Sequence, residues 1–270
     1  VLLLSLLFAS LYIQAQTSHE STLTSLDSSK MVINYSLNYL ADSNNLSIIS
    51  QEDMILILGH KLSQFLSRNL YFYLLKIKEI DDHVLLSTWL ANPNDRPPTP
   101  KVRYNVFKNY PINKITYIER IPSYTFIYEE SLNKFKWILL DEIDSIMGFQ
   151  VQKAITKYAG RDWIAWFCPE IPYNDGPYKF CGLPGLIIKI YDTKDHYTFE
   201  MKSIDYLQEH INIELPDATF VETSREGFLK AKENFRNDII NRAKEAGLSS
   251  EAQQTAARNL QKRNNPIELR

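Results

Sequence analysis

Cysteine is nearly absent from this 270-residue chain: only Cys168 and Cys181 occur. Two thiols leave a single intrachain connectivity and too few thiolates for a zinc or iron–sulfur cage. The five histidines, His19, His60, His83, His196 and His210, form no HExxH or other recognised ligand pair, so local spacing implies no metal. No GxGxxG, no P-loop and no GxSxG is present, and no cofactor is expected. An excess of charge of one sign is also missing. Lys and Arg number 30 against 32 Asp and Glu, which offers no basic field for nucleic acid. With eight glycines the chain is neither collagenous nor a low-complexity polymer. Past residue 15 no apolar run approaches the roughly 20 residues that cross a bilayer, so the mature chain is expected to carry no transmembrane segment.

Sixteen tyrosines and thirteen phenylalanines are what the chain does have, and they favour an aromatic-rich β fold. Residues 1–15, VLLLSLLFASLYIQA, are apolar and uncharged and end in a small residue, as the end of a signal peptide does. With no initiating Met or basic start, they are read as an N-terminally truncated leader. The mature protein is therefore expected to be exported, to the periplasm, cell envelope or medium. No cysteine lies near the cleavage site, so no lipid anchor is expected. Residues 16–30 read as a flexible arm, and strand-like alternation begins at Met31. Leu62–Leu70 has the spacing of a short helix, with a strand as the alternative. Leu70–Ile80 and Val84–Leu90 read as strands around an Asp81-Asp82 turn. Asn92–Pro100 is a proline-rich loop. Strand patterns recur at Val102–Phe107, Lys114–Arg120, Tyr124–Glu129, Lys134–Ile143, Met147–Tyr158, His196–Ile204 and Ala218–Glu222.

Hairpins without intervening helices predict a mainly β (α+β) fold, an antiparallel meander forming an open or partly closed barrel across residues 31–222. Tyr117, Tyr124, Phe126, Tyr128 and Trp137 are its expected core. Residues 223–270 read as a helical segment. Thr223 and Glu226 have capping-box spacing, Phe228, Ala231, Phe235, Ile239 and Ala243 form one stripe, and Ser250 and Gln253 cap a second helix. Pro266 stops that helix, and Ile267 and Leu269 are expected to dock the tail on the body.

The chain is organised around Arg161–Asp192, which holds both cysteines and two of the four tryptophans. Asn174-Asp175-Gly176-Pro177 and Gly182-Leu183-Pro184-Gly185 are turns, and Leu186–Ile190 is a buried strand. Export would permit a Cys168–Cys181 disulfide, contributing about 3 kcal/mol by loop entropy. GPYKFCGLPGLI, preceded by GRDWIAWFCPEIP, resembles the GLPGLI family of Bacteroidetes envelope proteins. The resemblance extends through Met147–Ala154, Glu129-Glu130, Phe135-Lys136-Trp137, Met54–Gly59, Ser63-Gln64-Phe65 and Asn264–Leu269. Val151 departs from it, where relatives often carry Cys. The resemblance implies an envelope compartment and no agreed activity.

Three functions follow as expectations. The favoured one is a non-catalytic accessory protein that binds an apolar or peptidic ligand, or an envelope partner such as an outer-membrane transporter. Its binding residues would be Trp163, Trp166, Phe167, Tyr173, Tyr178 and Phe180, at a mouth rimmed by the cysteine loop. The others are a structural or assembly component of the envelope, and a peptidase-like hydrolase, which would need converging titratable groups. The carboxylates Glu129, Glu130, Asp141, Glu142 and Asp144 read as turn or strand-end charges, and Arg161-Asp162 as a surface pair or the start of a salt network.

Overall fold

Alternation along two neighbouring strands sets the architecture. In β1 (Asp27–Tyr39), Ile33, Tyr35 and Leu37 are buried in one apolar cluster and Val32 in another. In β2 (Ser50–Leu58), Met54, Leu56 and Leu58 join the first cluster, while Ile55 and Ile57 join the second. Successive side chains of a strand point to opposite faces, so the sheet is covered on both faces at β1 and β2.

The computed structural model describes residues 25–269 except 81, 93, 96, 123, 246 and 248. The expected leader at 1–15 and the arm's residues 16–24 lie outside the described residues. The rest of the arm is not loose, because β1 already begins at Asp27.

The further strands are β3 (Ser63–Ser67), β4 (Asn105–Lys108), β5 (Lys114–Ile121), β6 (Tyr124–Ser131), β7 (Ile138–Ile146), β8 (Phe149–Tyr158), β9 (Arg161–Cys168), β10 (Leu186–Asp192), β11 (Tyr197–Ile213) and β12 (Phe220–Glu222). They form one twelve-stranded sheet in the order β12-β6-β5-β4-β3-β2-β1-β11-β10-β9-β8-β7. Two antiparallel meanders, β1 to β6 and β7 to β11, are joined where β1 pairs with β11. β12 adds to β6 in parallel. The meander is as expected, but it does not close into a barrel: β12 and β7 are its edges.

Two expected strands are helices, α1 (Arg68–Glu79) and α2 (His83–Ala91). Their aromatic and branched composition suits a strand, but capping decides otherwise. The Ser67 side chain accepts from Leu70 N, and the Asp82 side chain accepts from Val84 N and Leu85 N. As a helix, α1 lays Leu70, Tyr71 and Leu74 on the second cluster. Of the helix and the strand open to Leu62–Leu70, the strand forms over most of it, as β3, all five of whose residues are buried, and α1 takes over at Arg68.

Of the expected core aromatics, Tyr117 and Tyr128 are buried and Phe126 and Trp137 partly so, whereas Tyr124 is exposed at the end of β6 beside the short edge strand. At the C-terminus, α3 (Arg225–Asn237) is capped by Ser224, whose side chain accepts from Gly227 N, one residue later than the capping box suggests. Phe228 from α3 inserts among Tyr117, Phe126 and Tyr128. α4 (Ile239–Glu245) and α5 (Ser250–Gln261) follow, the latter capped by Ser249.

Candidate binding site beside the proline- and glycine-rich loop

The loop joining β9 to β10 is an internal plug. Tyr178, Lys179, Phe180 and Leu183 are essentially inaccessible and pack on the main core face of the sheet. Tyr178 meets the rings of Tyr104 and Tyr117, and Phe180 meets those of Phe135, Tyr158 and Trp163. Backbone bonds tie the loop to itself, with Gly182 N donating to Asn174 O, Leu186 N to Ile171 O, and Ile187 N to Asp175 O. Gly185 has φ +151°, and a Cβ there would lie 2.2 Å from the Cys168 carbonyl oxygen. Only glycine allows that approach. Gly176 is equally confined, by the Ile187 side chain.

An ion cluster lies beneath the plug. Lys179 Nζ donates to Glu268 Oε1 at 2.6 Å, Glu130 Oε2 at 2.5 Å and Tyr128 OH at 2.9 Å. Arg225 Nε donates to Glu268 Oε2 at 2.6 Å, and the Tyr158 and Tyr178 hydroxyls donate to Glu268 Oε1. Burial would push the Glu268 carboxyl up. The Lys179 ammonium and these donors outweigh it and hold the group far below the usual carboxylate range. Lys134, bound to Glu130, is pushed down to about 8 by burial and by the neighbouring Lys179 charge.

Arg161 clamps the C-terminal tail alongside. It pairs with Asp192 at 2.6 Å and donates to Asn265 Oδ1 and to the carbonyls of Pro266 and Ile267. Arg161 thus belongs to a buried network rather than a surface pair with Asp162. Ile267 packs on the core, and Leu269 is held by its backbone N–H on Ala159 O while its side chain stays partly exposed.

Where the plug meets the β2–β3 turn, a cleft of about 350 Å³ opens. At its base Ser63 Oγ donates to Asp175 Oδ2 at 2.5 Å, and the buried Lys108 ammonium binds Asp175 Oδ1 and the Gly176 carbonyl. Around the rim stand Tyr173, Asn174, Asn133 and Lys61. Cys181 also borders it, with its thiol directed to the Leu132 carbonyl at 3.7 Å. Burial pushes that thiol up to about 12, so it is protonated and a poor nucleophile at neutral pH. His60 turns to the Ser28 carbonyl and Asp27. The base of the cleft is therefore internally satisfied, and its exposed donors and acceptors sit on the rim.

The six residues expected to bind divide accordingly. Trp163, Phe167, Tyr178 and Phe180 are buried and serve packing, because the loop occupies the face on which a barrel mouth was expected. Trp166 is half-buried under the Lys153 ammonium, and Tyr173 is partly exposed on the cleft. Gly176, Pro177, Leu183 and Gly185 are buried turn residues, while Gly182 and Pro184 face outward. Cys168 and Cys181 are both buried and free. Sequence reading passed over Lys179, Lys108, Asp175 and Glu268. The one available signal was a lysine set among apolar residues in Tyr178-Lys179-Phe180-Cys181. Among the described residues, no group of three or more His, Cys, Asp or Glu could hold a metal ion.

A family model described as "Protein of unknown function (Porph_ging)" matches residues 107–189, from the end of β4 through the plug into β10. No curated protein sequence matches the chain. Among solved structures, the chain is similar to PNGF-II in two space groups. In one, identity is 15% over 78% of this chain and 34% of that chain, with a TM-score of 0.50. In the other the values are 14%, 78%, 33% and 0.49. The chain thus spans about a third of the length of PNGF-II, and at such identity the likeness concerns the fold alone.

Proposed function

We propose that this chain is an exported, GLPGLI-type envelope protein that binds an extended peptide segment of a partner in the cleft beside the plug, without catalysing a reaction on it. The carrying observation is the distribution of hydrogen-bonding groups. The side chains of Asn133, Asn174 and Lys61 and the Tyr173 hydroxyl make no hydrogen bond within the described protein, yet they share one concave rim. A carboxamide offers both a donor and an acceptor, which matches a peptide unit, and Tyr173 adds a flat apolar face. The Ser63–Asp175–Lys108 base holds the rim in place. An outer-membrane transporter is one partner of the required kind, and export rests on the apolar stretch at 1–15.

The test is a native pull-down from the envelope fraction with the tagged mature chain, followed by mass spectrometry. The expected result is a reproducible partner retained by wild type and reduced at least about tenfold, or roughly 1.4 kcal/mol, by Asn174→Ala with Tyr173→Ala. Equal recovery with the cleft variant, or an empty wild-type eluate, sinks the reading. A hydrolytic reading has the Ser63–Asp175 contact on its side. It predicts turnover of envelope peptides that Ser63→Ala abolishes while the fold stays intact.

A further inference from the structure

A second recess lies on the outer face of the sheet near its β7 edge. It is a groove of about 800 Å³, within the roughly 300–1,000 Å³ typical of sites for small organic ligands. Its floor is a row of isoleucines aligned across three strands, Ile138 of β7 opposite Ile155 of β8, and Ile155 opposite Ile164 of β9. Their neighbours Ala154, Trp163 and Ala165 are buried in the main core, so the isoleucines point to the other face. The helices from α1 onward that touch the sheet do so chiefly at β2, β3 and β6, and Ile138 is 60% exposed.

One residue row farther along stand Lys136 and Lys157, with Lys134 at the inner end. Lys134 is engaged by Glu130, and Lys157 sits 3.4 Å from Asp162 in full exposure. The Lys136 ammonium has no ion-pair partner among the described residues. The groove is thus an apolar track that ends in one unpaired ammonium, Lys136, beside the exposed Lys157–Asp162 pair.

We infer that this groove binds a single-chain amphiphile with an anionic head, its alkyl tail along Ile138, Ile155 and Ile164 and its head at Lys136 and Lys157. A long-chain carboxylate has that chemistry. An apolar row with positive charge at one end only is complementary to a molecule that is apolar along its length and anionic at one end. The site is separate from the peptide cleft and does not depend on it.

Isothermal titration of the intact mature chain with dodecanoate, dodecyltrimethylammonium and dodecyl maltoside, each below its micellar concentration, tests the proposal. Saturable binding of one dodecanoate, at least about tenfold tighter than either other amphiphile (roughly 1.4 kcal/mol), is expected. Lys136→Glu should weaken dodecanoate by a similar factor and Ile155→Asp should abolish it, while Lys230→Glu on α3 leaves it unchanged. A thermal melt checks that each variant is folded. Equal affinity for all three head groups would reduce the groove to a sticky apolar surface. Absence of dodecanoate binding, or binding only to phosphatidylglycerol vesicles, overturns the proposal as well.

Discussion

Replacing Lys179 by methionine isolates what the buried ion cluster contributes. Methionine preserves most of the volume and removes the charge. Lys179 is 0% exposed, and its ammonium touches two carboxylates and two tyrosine hydroxyls. Without it Glu130 retains Lys134 and Glu268 retains Arg225, so each carboxylate keeps one cation and loses its buried one. Removing one partner of a buried ion pair costs about 3–5 kcal/mol. In a chain of this size each kcal/mol lowers Tm by roughly 2–4 °C, so a fall of about 6–20 °C is expected. Urea denaturation of Lys179→Met, Glu268→Gln and the double variant measures it. The double should cost less than the sum of the singles by at least about 1 kcal/mol, because neutralising Glu268 removes the charge that Lys179→Met strands. A single variant within about 0.5 kcal/mol of wild type, or strict additivity, would refute a cooperative buried cluster.

Acid stability follows from the same group. The folded Glu268 carboxyl is held far below its unfolded value, so its contribution is complete above about pH 4.3 and is lost as pH falls below it. Glu268→Gln should flatten that limb of the stability–pH curve between about pH 4.3 and 2.5, measured by urea midpoints. Lys134 acts in the opposite range: held at about 8, it makes stability rise as pH increases from there toward its unfolded value. Lys134→Met should remove that rise. The two outlying glycines of the GLPG turn should respond differently to alanine. Gly182, at φ +90° with Trp137 Nε1 no nearer than 4.0 Å to an added Cβ, should cost about 1 kcal/mol, and Gly185, pressed on the Cys168 carbonyl, at least about 3. Equal thermal shifts would contradict the close approach. Arg161→Leu should release the tail, so limited proteolysis near residue 264 should accelerate while wild type resists. Both thiols should be unreactive to Ellman's reagent in the native protein and both should titrate in guanidinium without reductant; no thiol in guanidinium would mean a bridge.

Much of the sheet was legible because its signal is local. Alternation in β1 and the turns around β5 and β6 follow from period-2 burial and from turn chemistry, both carried by neighbouring residues. Where the reading failed, two local signals competed. LYFYLLKIKEI and HVLLSTWLA have strand-like composition, but Ser67 and Asp82 cap helices, and the apolar side chains of α1 find a cluster that exists only once the sheet has formed. The aromatics of Trp163–Phe180 announced importance without direction. A tryptophan in a plug and one at a rim are the same letter, and burial depends on what the loop folds against.

A mainly antiparallel β chain with a helical C-terminus, organised around one proline- and glycine-rich connection, is written in the order of the residues alone. These features depend on backbone preferences and short-range periodicity. That the sheet stays open, and that the connection plugs its core face, emerges from the packing of distant segments. Tertiary folding likewise joined Lys179 to Glu268, 89 positions away, and placed Ser63 beside Asp175, 112 positions away. Contacts across such separations are set by how the two meanders meet along β1 and β11, and no local pattern encodes that meeting.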